Sequence, residues 1–167
     1  MIYKTLFFVL ISNVCFSQNK TIYTCSFKIA DVQQKEFKFS SEDDLFTISL
    51  KERIFIDSKG REYYLVKSGG GILVTSDGDT LAAKKRKCIY YLPGQLNASY
   101  HVRGRTLYQK NDEIISGKIR FRGNEVAIVV TKLDNRVEKS VMCLFFHKLL
   151  LDAKAINESN LFFLGIN

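Results

Sequence analysis

Val141-Met-Cys-Leu-Phe-Phe-His-Lys-Leu-Leu-Leu151 is apolar almost all the way round, and it follows a long stretch of strand-like sequence. A helix that is apolar on every face has to be buried, in protein or in lipid. Val141 to Leu151 at about 1.5 Å per residue span only about 16 Å, short of the roughly 20 residues that a bilayer crossing takes. A protein interior is the expected environment, and the residues before the segment indicate what encloses it.

From Thr21 to Thr131 the chain alternates short runs rich in Ile, Val, Phe, Tyr and Thr with Gly, Asp, Asn and Ser at turn spacing, the pattern of strands and tight turns. Strands are predicted at Thr21–Ile29, Glu36–Phe39, Leu45–Leu50, Ile54–Asp57, Glu62–Lys67, Gly71–Thr75, Asp79–Ala83, Cys88–Leu92, Ala98–Gln109, Glu113–Phe121 and Glu125–Lys132. Around Asp57-Ser-Lys-Gly60 and Asp77-Gly78 an apolar strand, an Asp and Gly turn and a second strand follow one another. The carboxylate caps turn amides and Gly accepts positive φ, so a hairpin accounts for both. Asp77-Gly78-Asp79 has too few acids for a calcium loop. A sheet made of hairpins keeps two exposed edges, which closure into a barrel removes.

The expected fold is therefore mainly β: a closed antiparallel β-barrel around a buried hydrophobic C-terminal helix at about 138–155. In that helix Ser140, His147 and Lys154 form a narrow polar seam, and Lys148 with Asp152 makes an i,i+4 pair.

The 167 residues, 46% of them apolar, suit one core. Met1-Ile-Tyr-Lys4, the apolar run Thr5–Ile11 and Cys15-Phe-Ser17 follow the order of a secretory signal peptide. Residues 1–17 are assigned to it and 18–167 to the barrel domain; an uncleaved anchor and a buried first strand are the competing readings. The chain is thus expected to be exported, periplasmic or extracellular. The formal net charge is +8, and residues 1–17 carry only Lys4 of it. Such an excess favours encounters with polyanions and also aids solubility. Cys25, Cys88 and Cys143 remain in the exported part; Cys143 reads as a small buried hydrophobe, and Cys25 with Cys88 is the preferred pair if a disulfide forms.

The succession IFIDSKGREYYLV at Ile54–Val66, ILVTSDGDTLA at Ile72–Ala82, KKRKCIYY at Lys84–Tyr91 and VMCLFFHKLLLDAKA at Val141–Ala155 resembles the tubby C-terminal-like superfamily, in particular its LURP-one-related branch. The resemblance covers roughly Leu45 to Ile156. It implies a closed antiparallel barrel threaded by a hydrophobic helix and a role at phospholipid membranes, since the family includes phosphoinositide-binding domains. It brings no catalytic motif, and an export signal departs from its largely intracellular members.

A search for chemistry in the residues is mostly negative. His101 and His147 are the only histidines and have no HExxH or zinc spacing. There is no G-x-S-x-G elbow, P-loop or dinucleotide fingerprint, and Gly69-Gly70-Gly71 lacks the following helix of a phosphate cradle. No catalytic, metal or cofactor residues are assigned. The positive signal is basic: His101, Arg103 and Arg105 share one strand face by period two, as do Lys118, Arg120 and Arg122. With Gln109 opposite Ile114, Arg105 would face Lys118, Arg103 would face Arg120 and His101 would face Arg122, a costly placement of like charges. These residues, with Lys84, Lys85, Arg86 and Lys87, are the candidate anion site, its arginine forks suited to phosphate, sulfate or carboxylate. Solvation in water, or neutralisation by acids nearby, is the bland alternative.

The functional expectation is a non-enzymatic module that recognises an anionic surface, such as phospholipid head groups or another polyanion, by peripheral contact. Nucleic acid is disfavoured because no binding motif accompanies the charge. The alternatives are a barrel that carries a small apolar ligand, which needs an unfilled lumen, and a hydrolase, which needs a deep pocket holding a perturbed acid or base.

Overall fold

The computed structural model describes residues 22–28, 36–66, 71–91 and 99–163. They form β1 (Tyr23–Lys28), β2 (Phe37–Ser40), β3 (Leu45–Ser49), β4 (Ile54–Ile56), β5 (Glu62–Val66), β6 (Ile72–Thr75), β7 (Thr80–Lys85), β8 (Cys88–Tyr91), β9 (Ser99–Arg103), β10 (Thr106–Gln109), β11 (Asp112–Arg122), β12 (Glu125–Leu133) and one helix, α1 (Lys139–Phe163). The proposed signal segment 1–17, and Gly69 and Gly70 of the glycine turn, lie outside the described residues. Each strand pairs antiparallel with its neighbours in sequence, and β12 returns to β1 to close the barrel.

Alternation along the strands builds the interior. Tyr23, Cys25 and Phe27 on β1, Phe37 and Phe39 on β2, Phe46 and Ile48 on β3, and Val126, Ile128 and Val130 on β12 turn inward and are buried. The lumen they line is filled by α1, whose Val141–Phe146 segment is buried on every side. Farther along, burial falls to one stripe, Leu149, Leu150, Ala153 and Asn157, while Leu151 is 43% exposed. The helix runs to Phe163, beyond the expected end near 155, because one covered face is enough to hold a helix outside the lumen.

Two close approaches seat the helix. A Cβ at Gly117 would stand 2.7 Å from Leu149 Cδ1, so β11 admits α1 there only because it has no side chain. The register of β11 against β12 shifts at the same point, between Ser116 and Gly117. At the other contact Phe146 stacks on Phe39 with ring centroids 4.4 Å apart, and meets Tyr23 and Phe46 edge-on at 5.3 and 5.7 Å. Those three rings belong to β1, β2 and β3. Since β1 and β2 share a single register pair, Thr24 with Ser40, the barrel closes there through side chains more than through its backbone ladder.

The helix enters the barrel against an electrostatic disadvantage. Lys139 is its first residue and the first turn carries no acid, whereas a helix N-terminus favours negative charge. Asp44, from the turn between β2 and β3, supplies it: Lys139 Nζ lies 3.0 Å from Asp44 Oδ2. The same carboxylate accepts hydrogen bonds from Tyr23 Oη at 2.8 Å and from Ser58 Oγ. Burial raises its proton affinity, but the donors Ser58, Lys139 and Tyr23 outweigh burial and hold it below the ordinary carboxylate range.

The predicted turn at Asp57 is formed as expected. Its Oδ1 accepts from the amides of Lys59 and Arg61 at 2.9 and 3.0 Å, and Gly60 has φ 72°. At Asp77-Gly78 the cap differs: Thr75 Oγ1 accepts from the Asp79 amide, and Gly78 takes the positive φ. Ala98–Gln109 is not one strand. Gly104, with φ 57°, turns the chain between β9 and β10, as an isolated Gly in a strand pattern can signal.

Replacing Phe146 by Ala removes the ring that β1, β2 and β3 share. The expected loss is about 3–5 kcal/mol of unfolding free energy. Denaturant titration measures it, and native-state amide exchange in the variant accelerates more in β1 and β2 than in β11.

Candidate functional site

Strict up-and-down order sorts the connections by end. Those after β1, β3, β5, β7, β9 and β11 lie at one end of the barrel, and those after β2, β4, β6, β8, β10 and β12 at the other. The helix enters at the second end, where Lys139 meets the β2–β3 turn, and runs toward the first, where His147 and Lys148 lie near Lys84 of β7.

Charge follows the same division. The entry end carries Glu42-Asp43-Asp44, Asp57, Asp77, Asp79, Asp112, Glu113, Asp134 and Glu138. Three of its cations are paired: Arg61 with Asp57 at 2.7 Å, Arg136 with Asp134 at 2.5 Å and Lys139 with Asp44. The exit end carries Lys51 and Arg53 after β3, Lys85, Arg86 and Lys87 after β7, Arg103 and Arg105 around the β9–β10 turn, and Arg120 and Arg122 approaching the β11–β12 turn. Among the described residues, its turns offer only Glu36, Glu52 and Glu125 as acids, and its one ion pair is Lys148 with Asp152 on the helix. Basic turns of a closed meander are thus gathered into a basic rim.

Two rim cations occupy strained backbone. Arg53 has φ 61° and Arg86 φ 53°, in a left-handed region that costs a non-glycine residue roughly 1–2 kcal/mol. Glycine would remove that cost. Arginine in such a turn directs attention to what its side chain does.

The rim also carries apolar surface. Val66 at the end of β5 is 47% exposed and Phe121 near the end of β11 is 36% exposed. Leu151, 43% exposed, lies on the emerging helix. No helix among the described residues is long and apolar enough to cross a membrane.

The candidate anion residues are brought together only in part. Lys118, Arg120 and Arg122 do share the outer face of β11, all exposed. They are not opposite the β9 group: their partners are Val129, Ala127 and Glu125. The expected pairing of Gln109 with Ile114 is replaced by Gln109 with Asp112, after which a bulge shifts the register again at Leu107. Arg105 lies in the turn after Gly104 instead of on the strand with His101 and Arg103, and its carbonyl accepts from the Gly117 amide at 2.9 Å. Arg103 rests over the Tyr108 ring, 5.4 Å from its centroid. Lys84 is separated from Lys85, Arg86 and Lys87: it sits on the inward side of β7 with Ala82, half-buried, and burial with the nearby Lys148 lowers its proton affinity.

Cys25 and Cys88 do not form a disulfide. Both are free, as is Cys143, and β1 and β8 stand on well-separated parts of the barrel wall. Cys88 instead faces His101 across the β8–β9 ladder, with Sγ 3.3 Å from Nδ1. Sequence reading missed this pair, because the register between two strands is selected by packing and not by the residues of either strand alone.

The lumen holds little free space for an apolar guest, since Cys143, Phe145 and Phe146 are fully buried in it. A 670 Å³ open cleft at the entry end is lined by Arg61, Tyr63, Thr75, Asp77, Lys139 and Ser140 among others. Several interior groups have their proton affinity moved far by burial. Burial pushes the thiol of Cys25 up to about 12 and that of Cys143 up as well. His147, edge-on to Phe55 at 5.8 Å, is lowered to about 4 by burial first and then by Lys84 and Arg53. No family model, no curated protein and no solved structure matches the chain.

A lowered folded-state value means that the unfolded chain takes up the His147 proton first. The associated stability is complete above the ordinary value of 6.5 and is lost as the pH falls toward 4. The loss expected across that window is of order 3 kcal/mol. Denaturant titrations at steps through the window measure it, and His147→Gln flattens the slope there. Asp44 and Asp57, held below the ordinary carboxylate value of 3.8, contribute their own loss only at more acidic pH.

Proposed function

We propose that the protein is a peripheral binding module whose basic rim docks on an anionic phospholipid surface. One observation carries the reading: at the exit end, turn cations that form no ion pair among the described residues stand at the same end as exposed Val66, Phe121 and Leu151. Lipid head groups and acyl boundary call for this combination, cations for the phosphates and apolar side chains for the region just beneath. A nucleic acid or acidic glycan would use the cations and leave the aliphatic groups idle. The filled lumen favours a surface over an enclosed apolar ligand. The resemblance to tubby-like barrels, with their phospholipid association, is part of the same proposal, as is export to the periplasm or the cell exterior. Enclosure of α1 removes the helix itself from direct recognition except at its emerging end.

Each cation near an anionic bilayer contributes about 1 kcal/mol, close to a fivefold change in affinity. The protein is expected to co-sediment with vesicles of phosphatidylcholine and phosphatidylglycerol at low salt, to release at high salt, and to ignore phosphatidylcholine alone. Charge reversal at Arg103 and Arg120 together abolishes retention. Arg53→Gly with Arg86→Gly is expected to raise unfolding free energy by about 1–2 kcal/mol while weakening retention. Retention unaffected by both pairs of substitutions rejects the docking face.

A further inference from the structure

The ladder joining β7 to β11 sets one outward row in register: Lys85 faces Cys88, Cys88 faces His101, His101 faces Tyr108 and Tyr108 faces Glu113. At its centre is a nucleophile with a base in contact, Sγ to Nδ1 at 3.3 Å. His101 is exposed and Cys88 is partly so, which gives a solution reagent access. Arg86 and Lys87 precede Cys88 in the tight turn, and the Lys87 carbonyl accepts from the Val102 amide at 2.6 Å, which brings Arg103 beside that turn. Cationic surroundings gather anionic reagents, and a thiol next to an imidazole has an acceptor for its proton.

We propose that Cys88 is a thiol-modification site for small disulfides that carry carboxylates. Cys88 Sγ attacks one sulfur of the reagent while its proton passes to His101 Nδ1. A new sulfur–sulfur bond forms as the reagent's own bond breaks. The departing sulfur leaves with the electron pair as a thiolate and takes up a proton from His101 or from water. Cys88 is thereby oxidised to a mixed disulfide and half of the reagent is reduced; an external thiol reverses the step. Lys85, Lys87 and Arg103 attract the carboxylates before attack and hold them in the adduct. Cys25 and Cys143 are internal controls, both buried behind the wall and in surroundings that oppose thiolate formation. The site stands whether or not the rim docks on lipid.

The test treats the folded chain with two probes, the dianionic aromatic disulfide 5,5′-dithiobis(2-nitrobenzoate) and the dicationic disulfide cystamine, and locates adducts by peptide mass spectrometry. One adduct at Cys88 is expected, removed by Cys88→Ser. At low salt the dianion should react at least about tenfold faster relative to each probe's rate with a free thiol peptide, an advantage that falls with added salt. Neutralising Lys85 and Arg103 to Gln should remove most of that advantage, while neutralising Lys38 and Lys59, on parts of the barrel away from β8 and β9, should leave it. His101→Asn should slow both probes by about tenfold. Equal normalised rates for the two probes, rates untouched by His101→Asn, or an adduct on Cys25 or Cys143 in folded protein would each overturn the proposal.

Discussion

Everything in this molecule depends on one reciprocal burial: a helix with no polar face needs an enclosure, and a barrel with a narrow β1–β2 seam needs a filling. Phe146 is where both needs meet. Its ring contacts Tyr23, Phe39 and Phe46, so the side chains of the plug hold together the strands whose own ladder is thinnest. Gly117 sets the opposite wall, where a missing Cβ lets Leu149 approach. Asp44 fixes the entry, holding Lys139 at the point where the helix dipole disfavours a cation. The three contacts determine how far the helix enters and how it is turned.

Filling the lumen moves chemistry outward. The interior groups with altered proton affinity, His147, Cys143 and Cys25, owe their shifts first to burial, and they sit among packed side chains. Recognition is left to the two ends, and the ends differ. Acids cluster around the N-terminus of α1 and cations around the end toward which it runs, an arrangement in which the rims complement a helix dipole that the helix's own first and last turns leave uncompensated. Dipole complementarity reaches only about one turn and contributes typically 0.3–1 kcal/mol. It does not account for arginines in left-handed turns or for apolar residues exposed beside them.

The basic rim shows how a topological rule converts scattered sequence into a surface. Lys51 and Arg53, Lys85 to Lys87, Arg103, and Arg120 with Arg122 are separated by long intervals in the chain, yet each lies at a connection of the same parity. Alternation of direction in a closed meander brings them to one end. The same rule puts Cys88 and His101 side by side while sending Cys25 to a distant strand. A pattern confined to one strand or one hairpin cannot reveal such a grouping.

Local periodicity sufficed for the helix, for most strand positions and for the mainly β, closed-barrel architecture, because a two-residue alternation and an all-round apolar segment each have few ways to be buried. The Asp57 turn and the outward alignment of Lys118, Arg120 and Arg122 were legible for the same reason: both are set within a few residues. Register was not. Gly104 split a predicted strand, bulges at Leu107 and Ser116 shifted the pairing, and the assumed alignment of two basic triads dissolved with it. Lys84 left the basic run for the helix because neighbouring residues on a strand face opposite sides. Pairing between strands is a tertiary property, since the backbone ladder accepts many alignments and only the packing of both faces selects one.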